Sequence, residues 1–164
     1  MHFDGNVLHS TSSSGIIRTG VTNINYSIVH SHPADVAFGS KELNQRQNGI
    51  LDKLPEYGSQ EIFKKHEVSM LDLSAMTAKT GDEFAMFTRK GERLIVRGNK
   101  DNVPISTYDA IMLRNEGYHW SGHKHPGIGD ASLIASDGDR RVLEAFRQGK
   151  SALYNSAGRY SFIE

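Results

Sequence analysis

The chain has 164 residues, 37% of them hydrophobic and 23% charged, enough to bury the core of one ordinary domain and too apolar for wholesale disorder. Nineteen basic and nineteen acidic side chains cancel, which disfavours a nucleic-acid binder that works through a basic face. There is no cysteine, so disulfide scaffolds, cysteine-zinc knuckles, iron–sulfur clusters and thiol nucleophiles are excluded. No apolar run reaches the roughly 18–20 residues of a membrane helix, and Met1 to Ser14 lacks a secretory pattern. The reading is therefore cytoplasmic, or exported as part of a larger effector, with no membrane and no nucleic-acid partner.

Met1 to Gly20, rich in Gly, Ser, Thr and Asn, reads as a loop or lead-in. Asn23 to His30 alternates as a strand that Pro33 ends. Ser40 is a plausible cap for a helix over Lys41 to Leu51, and Ser59 for a short helix through His66. Ser69-Met70-Leu71-Asp72 predicts a capping box, with its helix ending near Thr80-Gly81. Glu83 to Arg89 and Arg93 to Arg97 form a predicted hairpin about Lys90-Gly91-Glu92. A short strand follows over Val103 to Ser106, then a helix over Thr107 to Glu116, with Ser106 and Asp109 at capping-box spacing and Gly117 as its stop.

Tyr118 to Lys124 reads as a strand, Pro126 to Ala135 as a loop, Ser136 to Gln148 as a helix, and Ser151 to Tyr154 with Tyr160 to Ile163 as a closing hairpin. Strands and helices mix without regular βα alternation. That predicts an α+β fold, a layered α/β/α arrangement of a mixed sheet with flanking helices, rather than a doubly wound parallel one.

The chemistry lies in His-x-His-Pro, present at His30 to Pro33 and again at His123 to Pro126. Composition alone gives about 0.01 expected occurrences, so two copies are not accidental. On a strand, residues two apart point the same way, and paired imidazoles converge on one ion. Neutral imidazole suits zinc, and without cysteine the remaining ligands are carboxylate or water, as in a catalytic site with an open position. Ser136-Asp137-Gly138-Asp139 opens the helix downstream of the second copy, and Glu83 starts an apolar strand upstream.

The order Glu83, His123, His125, Ser136, Asp139 resembles the JAB/MPN-type (JAMM) zinc metallopeptidases, whose motif is a strand Glu, then H-x-H-P, then S-x-x-D at a helix start. The likeness runs over Gly81 to Glu164 and is nearest to compact bacterial and phage JAB domains, including those of polymorphic toxin-like proteins. It implies a cytidine-deaminase-like core at 77–164 and an N-terminal extension at 1–76. It implies one Zn²⁺ on His123, His125 and Asp139 with water as fourth ligand, Glu83 as general base, and Ser136 stabilising the oxyanion. The family's substrates are peptide or isopeptide amide bonds, so the implied partner is a protein or peptide, ubiquitin-like conjugates included. Nine residues, Gly127 to Ala135, separate Pro126 from Ser136, a longer loop than the family commonly has.

S-x-x-D is by itself also an ordinary capping box, and Asp137 and Asp130 are alternative ligands. Glu92 and Glu116 are alternative bases. Trp120 reads as core, and His119, alternating with Ser121 and His123, as a structural or supporting residue on the ligand face. In the first copy Ser40 follows Pro33 at the family's usual gap, but Leu43 takes the Asp position and no Glu precedes it. His30 and His32 are then a degenerate copy or a second metal or structural site with Asp35 or Glu42. A non-catalytic, metal-stabilised MPN-like interaction module is the alternative function. A metal-dependent nuclease is weaker still, because no basic stripe is present.

Overall fold

A computed structural model describes residues 8–9 and 42–164. The expected strand at Asn23 to His30, the cap at Ser40, and His30, His32 and Asp35 lie outside the described residues. The elements are β1 (Leu8–His9), α1 (Gln45–Asp52), β2 (Gln60–Lys64), α2 (Met70–Thr80), β3 (Phe84–Arg89), β4 (Glu92–Arg97) and β5 (Asn102–Val103). They continue with α3 (Thr107–Asn115), β6 (His119–His125), α4 (Asp137–Phe146), β7 (Ser151–Asn155) and β8 (Tyr160–Ile163). Short 3₁₀ turns occupy Lys65–Glu67 and Asp130–Leu133.

Six strands form one mixed sheet in the order β2-β4-β3-β6-β7-β8. Only β6 and β7 run parallel, joined through α4; the other neighbours are antiparallel. β1 and β5 make a separate two-residue pair. One face of the sheet buries Phe84, Met86 and Ile95 with Ile50 of α1 and Leu73 and Met76 of α2. The other buries Phe87, Trp120 and Leu153 with Leu113 of α3 and Val142 and Phe146 of α4. The class is therefore α+β in three layers, as the mixed pattern predicts. No helix among the described residues is long and apolar enough to cross a membrane.

Local chemistry explains the helix starts. Ser69 with Asp72, Ser106 with Asp109, and Ser136 with Asp139 all form capping boxes. Gly81 ends α2 at φ +77°, the left-handed conformation that glycine adopts without penalty. The hairpin of β3 and β4 pairs Arg89 with Glu92 across Lys90-Gly91.

Three expectations are corrected. The segment expected as a helix from Ser59 to His66 is strand β2 followed by a 3₁₀ turn, because Gln60 to Lys64 pairs residue for residue with β4, from Val96 to Glu92. The first helix starts at Gln45 rather than Lys41, because Asn44 and Gln47 form a capping box there. The strand expected over Val103 to Ser106 stops at Val103, since Ser106 caps α3. The 76/77 boundary falls inside α2, and β2 from the N-terminal side is an edge strand of the same sheet.

Candidate metal centre

The site forms where the end of β6 meets the start of β3 and of α4. β3 and β6 are antiparallel with Ala85 opposite His123, so two residues further Glu83 stands beside His125. Glu83 is held there through its backbone: its N–H donates to the Asn99 carbonyl and its carbonyl accepts from the Gly98 N–H, both at 2.8 Å. Glu83, His123, His125 and Asp139 are all fully buried.

The side of the sheet that His123 faces is decided by a bulge. Phe87 pairs with Trp120 but Met86 pairs with Gly122, so Ser121 is an extra residue in β6. Side-chain alternation shifts there. Trp120, His123 and His125 share the α3/α4 face, and the Trp120 and His123 rings stack with centroids 5.1 Å apart. His119 pairs with Thr88 on the α2 face and is exposed. The expectation that His119 shares the ligand face is thereby corrected: plain alternation holds only in a strand without a bulge. Trp120 is core, as read.

His123 Nε2 and His125 Nε2 are 2.9 Å apart. Asp139 presents Oδ1 to His123 Nε2 at 3.1 Å and Oδ2 to His125 Nε2 at 3.6 Å. Tetrahedral zinc bonds of about 2.0–2.2 Å imply ligand–ligand edges of about 3.3–3.6 Å; the 3.6 Å separation matches, while those of 2.9 and 3.1 Å are shorter, at hydrogen-bond length. Glu83, His123 and His125 are a buried group that could hold a metal ion, each with a ligand atom within 4.8 Å of the others, so Glu83, expected as the base, stands at ligand distance itself.

The hydrogen bonds also favour a cation. His125 Nδ1 donates to the Ser132 carbonyl at 3.0 Å; a carbonyl only accepts, so in the neutral ring Nε2 is a bare lone pair. His123 Nδ1 is buried without a hydrogen-bond partner among the described residues. With its proton on Nδ1, two imidazole lone pairs and a carboxylate face one another. With its proton on Nε2, a buried acceptor is stranded instead. A bound cation removes that conflict.

Burial pushes His123 towards its neutral form, against the pull of Asp139. Burial works against an ionised Asp139, yet the two imidazoles outweigh it and hold the carboxyl far below the usual carboxylate range. A His123 pushed towards neutrality beside an ionised Asp139 matches the protonation states a metal ligand set needs.

Ser136 sits at the N-cap of α4. Its N–H donates to Asp139 Oδ2 at 2.7 Å and its hydroxyl oxygen accepts the Asp139 N–H at 3.1 Å. The carboxylate therefore serves both readings of S-x-x-D at once, one oxygen capping the helix and the other facing His123. Asp137 and Asp130 are exposed, and Asp130 pairs with Arg159 at 2.8 Å. Glu92 lies 3.6 Å from Arg89 at the opposite end of β3, and Glu116 is exposed at the end of α3. None of the four joins the cluster that contains Glu83.

The enlarged loop is fastened to the β7–β8 hairpin. Ser156 N–H donates to the Gly127 carbonyl at 2.9 Å, Gly127 N–H to Ser156 Oγ at 3.1 Å, and Ser161 Oγ to the Leu133 carbonyl at 2.9 Å. Its 3₁₀ turn supplies the Ser132 carbonyl that orients His125, a role with no side-chain signal in the sequence. No family model, curated protein or solved structure matches the chain.

Proposed function

We propose that the chain is a zinc-dependent metallohydrolase of the JAB/MPN (JAMM) type that cleaves a peptide or isopeptide amide bond. The observation that carries this reading is the burial together of His123 Nε2, His125 Nε2 and the Asp139 carboxylate, 2.9–3.6 Å apart, with a Glu83 carboxylate oxygen within 4.8 Å of both histidine nitrogens. These three would hold the ion, and its order along the chain is that of the family. Bound zinc would supply Lewis acidity, bringing the pKa of a water to about 7.

The chain's own groups do the rest. Glu83 accepts the proton of the attacking water and returns it to the departing amine. The Ser132 carbonyl keeps His125 in the tautomer that exposes Nε2. Ser136 Oγ accepts from the helix backbone, which leaves its O–H to donate to the developing oxyanion.

Glu83→Gln tests this. The variant should keep one zinc per chain and its fold, and lose a factor of about 10² or more in hydrolysis of an isopeptide-linked substrate. Unchanged hydrolysis in that variant overturns the base assignment. A second reading rests on the complete burial of all four groups: the ion would then staple α4 to the sheet in a non-catalytic interaction module. Stoichiometric zinc with no amide hydrolysis in the wild-type protein would favour it.

A further inference from the structure

The α2 face of the sheet carries a second concave site, distant from the metal cluster. Before the start of α2 lies a cavity of about 380 Å³, lined by Lys65, Arg93, His119 and Lys150 together with the hydroxyls of Thr88 and Ser121. No carboxylate among the described residues lines it. In a chain whose charges cancel overall, three permanent cations and an imidazole around one hollow make a local concentration of positive charge. His119 stands six residues before His125 on β6, roughly 20 Å away along the strand, and on the opposite face.

The donors are arranged for an oxyanion. Arg93 spends one guanidinium N–H on the Val68 carbonyl, but its Nε is buried without a partner among the described residues. The carboxylate whose charge acts on Arg93, Asp72, is already held by both guanidinium nitrogens of Arg46 at 2.6 Å. Thr88 Oγ1 and Ser121 Oγ are 2.5 Å apart. One proton serves that contact, so the other hydroxyl proton remains to donate elsewhere. Lys65 and Lys150 are exposed at the rim, and burial first, then the Lys65 charge, push His119 towards its neutral form.

We propose that this cavity binds a phosphate monoester dianion, carried either by a small molecule or by a phosphorylated side chain. Charge decides against a nucleic-acid backbone. A diester strand presents one charge per phosphate and needs a basic track, whereas this is one discrete hollow on a neutral chain. A dianion facing three cations and a hydroxyl donor relieves the mutual repulsion of Lys65, Arg93 and Lys150.

The test uses the full chain stripped of metal by a chelator, so that phosphate cannot report on the histidine cluster. Calorimetry at low ionic strength with inorganic phosphate and with glycerol 3-phosphate should give saturable binding. The double variant Lys65→Gln/Lys150→Gln should weaken both at least tenfold while its unfolding midpoint stays unchanged. A phosphoserine peptide separates the sources: binding tighter than glycerol 3-phosphate assigns a phosphorylated protein, and weaker binding a small molecule. Absence of saturable phosphate binding, equal binding in the double variant, or preferential binding of a single-stranded oligonucleotide would overturn the proposal.

Discussion

Trp120 and His123 stack ring on ring at 5.1 Å although they are three residues apart on one strand. Odd spacing normally sends two strand residues to opposite faces. The extra residue at Ser121 turns that rule over, so the indole becomes the wall against which the first ligand of the His pair is packed.

The bulge leaves Gly122 where β6 passes close to β7. A Cβ there would lie 2.5 Å from the Ala152 carbonyl oxygen and 2.8 Å from Met70 Cε. The backbone oxygen cannot move without shifting the parallel pair that carries His123 and His125. Gly122→Ala should therefore cost about 1–3 kcal/mol in urea unfolding. It should also weaken zinc binding at least tenfold in a chelator competition assay. Wild-type affinity in this variant would mean that the His pair does not depend on the β6–β7 contact.

Capping by Asp139 and its proposed ligation of a metal are separable. Asp139→Asn retains an oxygen to accept the Ser136 N–H but loses the negative charge facing His123. It should unfold within about 1 kcal/mol of wild type and bind zinc at least tenfold more weakly. Ser136→Ala should show the converse, losing about 1 kcal/mol while keeping the metal. Equal metal loss in both would show that the helix cap alone positions the site.

The contrast between legible and illegible features follows interaction range. The capping boxes at Ser69, Ser106 and Ser136 involve residues three apart, so the sequence declares them. The hairpin turn at Lys90-Gly91 and the order of the candidate site residues from Glu83 to Asp139 are equally visible. β2 is different: it is a strand only because β4 lies beside it, and its own sequence is compatible with helix. The bulge at Ser121 depends on how β3 registers against β6, so the face of His119 could not be read from alternation. The orientation of His125 comes from a main-chain carbonyl, which any residue at position 132 would supply.

Removing metal should loosen the end of the sheet where α4 docks. A ligand that binds only the folded chain stabilises it by about 4 kcal/mol at a thousand times its Kd, and a chain of this length gains about 2–4 °C per kcal/mol. Scanning calorimetry should therefore show the zinc-loaded protein melting about 8–16 °C above the chelated one. That difference should vanish in His123→Ala. A zinc-dependent shift that persists in His123→Ala would place the ion elsewhere.

The Arg46–Asp72 pair sets an acid limit on α1 and α2. Burial disfavours an ionised Asp72, but Arg46, the Ser69 N–H and the Gln47 amide outweigh it and hold the carboxyl below its ordinary value. A carboxyl lowered in the folded state contributes stability above its unfolded pKa of about 4 and loses it as the pH falls through the folded value. Arg46 is half exposed, so screening limits the pair, and Arg46→Gln should cost about 1–2 kcal/mol at pH 7. The gap between variant and wild type should narrow below about pH 4. A gap that stays constant down to pH 2 would show that Arg46 acts through packing rather than charge.

Lys124 lies between the two histidines in sequence but points to the other face of the sheet. It is fully buried, donates to Ser74 Oγ at 2.8 Å, and stands 3.6 Å from the centre of the Tyr154 ring. Burial pushes its amine well below the ordinary lysine value, despite Asp72. Lys124→Met keeps the volume but strands the buried Ser74 hydroxyl, a loss of about 1–3 kcal/mol. Adding Ser74→Ala removes that hydroxyl, and the double variant should recover to wild-type stability or above, since apolar replacement of a buried polar pair is often neutral or stabilising. Zinc affinity should be unchanged in both, because α2 and the ligand cluster lie on opposite faces of β6. If the double variant recovers nothing over Lys124→Met and stays below wild type, the loss comes from the amine's contact with Tyr154 rather than from a stranded Ser74 hydroxyl, and the ring is what keeps a lysine in this core.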